Sequence, residues 1–255
     1  MLRISCDGEA EIDPLSSGQS KVDKADSTLE TTEGIDIGLS LRYFSRLRFV
    51  YNLLPLLNAS ATPRVIAILA GGKEMEFDIN DIECKNNFSA ITSAGVGTTL
   101  TTLAFEELAK SNPKITFIHK YPGFVNTGAF AKILNTVPGI LAIPAKLVIW
   151  LFLPVINLFS TTQEVAGERG LFLTTSARYP PSKSAASGVA LPTGVEVAKS
   201  TIVKDGKGNG VYTLDGIDDV TQDAPVMPGY RKSDIGKTVW EKTQAVWDRA
   251  LARSA

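Results

Sequence analysis

The chain has 255 residues, 44% of them hydrophobic and 21% charged, which is the balance of a globular protein with one sizeable core. A net charge of −1 supplies no basic face for a polyanion, so nucleic acid is not an expected partner. His119 is the only histidine, and Cys6 and Cys84 form no CxxC pair, so neither a multi-histidine centre nor a thiolate metal site is expected.

The opening residues carry acids where a secretory leader needs an apolar run, and a cytoplasmic location is the expectation. Residues 1–32 are polar and without period, and read as a disordered or draped segment with an apolar spot at Ile12 to Leu15. Residues 33–255 read as one folded region. From residue 33 to 57, Ile37, Leu41, Phe44, Leu47, Tyr51 and Leu54 recur at helical spacing, with Arg42, Arg46 and Arg48 on a solvated flank. RVIAILAGG then reads as a strand buried on both faces, closed by Gly71 and Gly72. Residues 89–111 predict a helix stopped by Asn112 and Pro113, and KITFIHKYPG predicts the next strand. Strands alternating with helices in this order indicate a parallel sheet with crossover connections, an α/β fold of Rossmann-like type.

Residues 138–159 are the most apolar stretch. Pro144 and Pro154 break it and Lys146 charges it, so a hydrophobic lid over residues 137–160 or a buried helix pair is expected and no transmembrane span. Residues 161–176 predict a helix capped by Ser160, GVYTLD a short strand after the turn sequence DGKGNG, and residues 233–255 a closing helix.

Taken together, LSLRYFSRLRFVYNLLPLL, RVIAILAGG, a small-residue helix and FIHKYPGFVNT resemble the short-chain dehydrogenase/reductase (SDR) family, fungal secondary-metabolite type. The most specific piece is PGFVNT. The resemblance implies that Pro122, Gly123, Val125 and Thr127 lie against the nicotinamide half of NADP or NAD. Gly123 would allow close backbone approach and Thr127 would offer a hydroxyl.

Two departures from the family accompany the likeness. No GxxxGxG or GxGxxG occurs anywhere, so the phosphate-binding turn and the first strand–helix units are expected to be missing, leaving a truncated Rossmann-like domain. Phe88 and Thr92 stand where the family's Tyr and Lys are expected, Ala70 near its Ser, and Arg42 near its Asn. None of these can perform the family's proton transfer, in which a lysine lowers a tyrosine pKa.

The candidate catalytic groups that remain are His119, whose ordinary pKa suits proton transfer near neutrality, and the Tyr121 phenol. Each has a plainer alternative, a packed strand histidine and a packed tyrosine. Ser89 and Thr92 read as helix caps, Lys120 and Arg42 as anion holders or solvated surface charges, and Asp78 and Asp81 as loop acids. The resemblance implies an NAD(P)-dependent oxidoreductase acting on a small apolar secondary-metabolite intermediate. The alternatives are a degenerate member with non-redox activity, such as cyclisation or isomerisation in an apolar pocket, and a non-catalytic pseudoenzyme. A missing first half would expose a sheet edge, and a homo-oligomer or a hetero-oligomer with an intact relative is a possible partner arrangement.

Overall fold

Helix formation begins where Asp36 turns its carboxylate back on the chain and accepts the Leu39 amide at 2.7 Å. The computed structural model describes residues 30–86, 88–125, 160–183 and 188–254. The expected draped segment (apart from its last residues), most of the hydrophobic lid, and Thr127 therefore lie outside the described residues.

The first helix, α1, is continuous but not uniform: an α turn at Ile37–Leu39, a π turn at Ser40–Phe44, then α-helix over Ser45–Ala59. The wide turn leaves carbonyls for side chains to claim. Ser45 Oγ donates to Ser40 O at 2.8 Å and Arg46 Nε to Leu41 O at 2.9 Å. The helix starts four residues later than its periodicity predicts. Thr31 to Asp36 instead form a tight turn, with the Gly34 amide on Thr31 O and the Thr31 amide on Ile35 O.

Strand β1 (Arg64–Ile68), helix α2 (Ala90–Ser111) and strand β2 (Thr116–Lys120) follow, with a 3-10 turn at Ile79–Asp81. Ser89 caps α2, its Oγ accepting the Thr92 amide at 3.0 Å. Helix α2 is buried on nearly every side from Gly95 to Glu106, although threonines make poor helix formers. Their hydroxyls are satisfied locally: Thr98 donates to Ala94 O, Thr99 to Gly95 O and Met75 O, and Thr101 to Gly97 O. Small and β-branched residues thus let α2 lie close against the sheet, where Phe105 packs on Phe117 at 5.2 Å between ring centroids.

Helix α3 (Gln163–Thr175), a two-residue hairpin of β3 (Val203–Lys204) and β4 (Lys207–Gly208), strand β5 (Val211–Leu214), and helices α4 (Met227–Lys232) and α5 (Ile235–Ser254) complete the chain. The cap of α3 is Thr162, whose Oγ1 accepts the Val165 amide, and not Ser160. Nothing in the hydropathy pattern foretells the β3–β4 hairpin or the short α4.

The sheet order is β1-β2-β5 and every pairing in it is parallel, with Arg64 opposite Thr116 and Phe117 opposite Val211. With helices packed against it, this is the expected Rossmann-like α/β arrangement. One core lies between the sheet, α1, α2 and α5, built on Leu39, Tyr43, Leu47, Leu100, Phe105 and Phe117; a second under the other sheet face holds Ile118, Leu173, Tyr179, Tyr212 and Leu214. Helix α5 is pinned to α1 by two buried hydrogen bonds, Tyr43 Oη with Thr243 Oγ1 at 2.7 Å and Trp247 Nε1 to Phe44 O at 3.1 Å. No described helix is long and apolar enough to cross a membrane.

Candidate functional site

In an open parallel sheet, ligands sit beyond the carboxyl ends of the strands, because the loops there leave the sheet together. In this chain that crest is formed by the segments after β1 (Leu69 to Glu74), after β2 (Tyr121 to Val125) and after β5 (Asp215 to Val220).

The crest after β1 is anchored from below by His119. Its ring is fully buried in the middle of β2, Nε2 accepting the Ala70 amide at 3.2 Å and Nδ1 lying 2.8 Å from Thr102 Oγ1. Thr102 Oγ1 in turn donates to Glu74 Oε1 at 2.6 Å, and that oxygen also accepts the Gly72 amide at 3.1 Å. One proton arrangement satisfies every atom. Nε2 is bare, Nδ1–H donates to Thr102, and the Thr102 hydroxyl donates to the Glu74 carboxylate. Burial lowers the His119 pKa from 6.5 to about 3, so the ring is neutral at physiological pH. Of the two candidate catalytic groups, His119 is therefore placed as the anchor of the β1 loop, with both nitrogens engaged inside the protein. Gly71 belongs to the same arrangement: a side chain there would strike the His119 carbonyl oxygen.

The crest after β2 is the Tyr121–Pro122–Gly123–Phe124–Val125 segment. The Tyr121 amide donates to Leu214 O at 2.8 Å, carrying the sheet ladder one residue past the strand. Its ring is half-buried, with the Lys73 ammonium 5.9 Å from the ring centroid. Gly123 has φ +67, a left-handed conformation that favours glycine, and a Cβ built there would lie 3.4 Å from the Gly216 Cα. The two glycines let the β2 and β5 loops touch backbone to backbone. Pro122, Gly123 and Val125 are half-exposed, and Val125 bridges in parallel to Thr161 at the start of the α3 segment.

Lys120, the last residue of β2, is not a solvated surface charge. It is 6% exposed and its ammonium forms a buried ion pair with Asp218 in the β5 loop. Burial, seconded by the Arg169 guanidinium, lowers its pKa to about 8, with Asp215 opposing. Arg169 reaches across from α3 to donate to Gly216 O, and Tyr179 Oη donates to Asp218 O at 2.9 Å. The β5 loop is thus tied to α3, to β2 and to Tyr179. Nothing local in the sequence marks Asp218, Arg169 or Glu74 as members of this crest. The only legible hint was the glycine and aspartate turn DGIDD.

The remaining candidates lie elsewhere. Phe88 packs against the main core and Thr92 sits in the first turn of α2 beside Ser89. Asp78 caps the Asn80 amide and Asp81 accepts from the Lys85 and Asn86 amides, so both close turns. Arg46 stays exposed on the expected flank while donating to Ile68 O at 3.1 Å, whereas Arg48 is half-buried with its guanidinium 5.2 Å from the Trp247 ring centroid. Among the described residues, no group of three histidine, cysteine, aspartate or glutamate side chains could hold a metal.

A nicotinamide dinucleotide would meet open backbone at the crest, whereas its pyrophosphate would find the N-termini of α1, α2 and α3 already capped. Pro122, Gly123 and Val125 offer a half-exposed edge at the carboxyl end of a parallel strand. A pyrophosphate needs glycine-cradled amides at a helix N-terminus. The N-termini of α1, α2 and α3 are closed by Asp36, Ser89 and Thr162.

No protein-family model matches the chain. It is 38% identical over 225 residues to an oxidoreductase of Emericella nidulans, covering 88% of this chain and 65% of that protein. It is 30% identical over 229 residues to an NmrA-like family domain-containing oxidoreductase of an Aspergillus species, covering 87% of this chain and 60% of the relative. Over 235 residues it is 30% identical to a short-chain dehydrogenase/reductase of Stachybotrys chartarum, at 88% and 62% coverage. The chain therefore spans a little under two thirds of the length of these relatives. Over most of its own length it is similar to fungal oxidoreductases, one of them a short-chain dehydrogenase/reductase by name.

Proposed function

We propose that this chain is the substrate-side portion of an NAD(P)-dependent oxidoreductase of short-chain type, acting in the cytoplasm on a small apolar secondary-metabolite intermediate. The observation that carries the reading is the Tyr121–Val125 crest: a glycine at positive φ directly after a parallel strand, in a chain similar to fungal oxidoreductases over 88% of its length. When bound, the cofactor would supply hydride. The chain's own share is to position the nicotinamide end along Pro122, Gly123 and Val125, with Thr127 adding a hydroxyl. The Lys120–Asp218 pair and the His119–Ala70 bond would hold the two neighbouring loops.

At Phe88 and Thr92 the family's Tyr/Lys pair has no counterpart, and among the described residues the half-buried Tyr121 phenol is the candidate left at the crest to pass a proton. Phe88 and Thr92 at the corresponding places favour a second reading, a degenerate relative whose apolar pocket promotes a non-redox rearrangement by positioning and water exclusion.

Fluorescence titration and thermal shift with NADPH, and with NADH alongside, separate the two. A ligand of the folded state raises its stability by mass action, so a weak site still registers at high concentration. The first reading expects saturable binding that Val125→Glu, at a half-exposed position, abolishes while the protein stays folded. A folded, monodisperse chain that binds neither dinucleotide at millimolar concentration contradicts it.

A further inference from the structure

A bond from aspartate or asparagine to glycine is chemically labile, because glycine leaves its own nitrogen open to the neighbouring side-chain carbonyl carbon. Three such bonds fall among the described residues: Asp205–Gly206, Asn209–Gly210 and Asp215–Gly216. By residue type alone Asn209 would react first, since a neutral carboxamide is a better electrophile than a carboxylate. The fold orders them differently.

Asn209 is held at both atoms of its carboxamide. Oδ1 accepts the Val211 amide at 3.2 Å and the Ile202 amide at 3.4 Å, and Nδ2 donates to Thr201 Oγ1 at 3.1 Å. Gly210 beside it is buried, and a Cβ there would lie 2.8 Å from Ser182 N. Asp215 is clamped in the same way: Oδ1 accepts the Ile217 and Asp219 amides at 2.9 and 3.0 Å, while Arg169 holds the Gly216 carbonyl. Turning either side chain onto the following nitrogen breaks these bonds. Asp205 and Gly206 are instead the exposed loop residues of the β3–β4 hairpin, with φ +51 and +74. A two-residue hairpin demands this left-handed pair. Among the described residues no hydrogen bond or ion pair holds the Asp205 side chain, and no backbone acceptor takes the Gly206 amide. A Cβ on Gly206 would meet nothing within 4 Å.

We infer that Asp205–Gly206 is a site of spontaneous aspartyl isomerisation in the folded chain, ahead of Asn209–Gly210 and Asp215–Gly216, and that its product opens the β3–β4 hairpin. The Gly206 nitrogen attacks the Asp205 side-chain carboxyl carbon. A C–N bond forms, and the amide hydrogen leaves with the carboxyl hydroxyl as water. The cyclic imide then takes up water. Cleavage at one carbonyl restores aspartate; cleavage at the other leaves isoaspartate, with the chain running through the side-chain carbons and a free carboxylate on the former backbone carbonyl carbon. Nothing is oxidised or reduced, and water is the only co-reactant. The isoaspartyl link lengthens the backbone by a methylene, and a two-residue loop has no slack for it, because Lys204 and Lys207 pair directly across the turn. These two lysines are like charges facing each other, which already weakens that pairing. No cofactor enters this chemistry, so it stands apart from the redox reading.

The full 255-residue chain is held for several weeks near neutral pH, folded in one arm and in guanidinium chloride in the other. Isoaspartate is counted with an isoaspartyl methyltransferase and labelled S-adenosylmethionine, whose methyl group the new carboxylate accepts, and is placed by electron-transfer fragmentation of peptides. In denaturant Asn209 should react first. In the folded arm Asp205 should lead, with Asn209 and Asp215 slowed. Hydrogen exchange in the aged folded protein should quicken at the hairpin amides and stay unchanged in β1, β2 and β5. Asp205→Asn keeps a residue suited to positive φ and should react faster in the folded arm, releasing ammonia in place of water. Five results overturn the inference: Asn209 or Asp215 leading in the folded chain; no isoaspartate at Asp205 there; the same order in both arms, meaning that local sequence alone sets it; an Asp205→Asn chain that reacts no faster; or modified protein whose hairpin amides exchange as before.

Discussion

The Ala70 amide points at Nε2 of His119 from 3.2 Å, so the chain's only histidine fastens the loop after β1 to the middle of β2. That bond requires an unprotonated Nε2, and with it the proton order from Nδ1 through Thr102 to Glu74 is fixed.

Acid should therefore destabilise the fold through this ring. Unfolded, His119 titrates near 6.5; folded, burial holds it at about 3. Between those values the unfolded state binds a proton that the folded state does not, so stability is full above about pH 6.5 and falls as pH drops toward 3. At about 1.4 kcal/mol per pH unit, the loss amounts to a few kcal/mol. Urea unfolding from pH 7.5 to 4.5 measures it, and imidazole nitrogen shifts should report a neutral Nδ1–H tautomer throughout the folded range. A ring that titrates near 6.5 in the folded protein contradicts this placement.

Thr102→Val keeps the shape of the side chain and removes the hydroxyl that links the two polar groups. It leaves the His119 Nδ1–H and a Glu74 oxygen facing a methyl group. The expected cost is about 2–3 kcal/mol in urea unfolding at pH 7. A cost below about 0.5 kcal/mol would mean the chain of bonds contributes little.

The glycines divide sharply. A Cβ at Gly71 meets the His119 backbone, so Gly71→Ala should cost more than about 2 kcal/mol or prevent folding. Gly167 and Gly170 lie within α3 with nothing within 4 Å of an added Cβ. Alanine there should stabilise the protein by about 0.5–1 kcal/mol each, because glycine is the costlier residue inside a helix. Melting temperatures of the three variants decide the matter.

Arg231 joins α4 to α2, its guanidinium on both Glu106 oxygens and on Asp223. Burial raises the Glu106 pKa and Arg231 opposes that rise. Arg231→Ala strands a buried carboxylate and should cost about 3 kcal/mol; adding Glu106→Gln should recover a good part of it. If the double variant is no more stable than the single one, the pair is not what holds α4.

The elements that the sequence made legible are those whose signals are local. Ser89 before a helical run and Asn112-Pro113 after it delimit α2, and RVIAI between loop residues marks β1. What stayed hidden depends on long-range pairing. Lys120 and Asp218 are 98 residues apart, and Glu74 and Thr102 are 28 apart, so neither partner predicts the other. Lys120 read as a surface charge because nothing nearby in sequence tells of the β5 loop folding over it. The Pro122–Gly123 turn stands out in the sequence through resemblance, whereas its contact with Gly216 required the fold.

The carboxyl-end crest of β1, β2 and β5 is the proposed seat of the nicotinamide end of a dinucleotide. The most direct measurement is an amide NMR map of the chain during NADPH titration. The account predicts perturbations concentrated at Tyr121, Gly123 and Val125 and at Ala70 to Gly72, with the amides of α5 and of the β3–β4 hairpin unmoved. Perturbations centred on another surface, or none in a folded chain at millimolar NADPH, would contradict it.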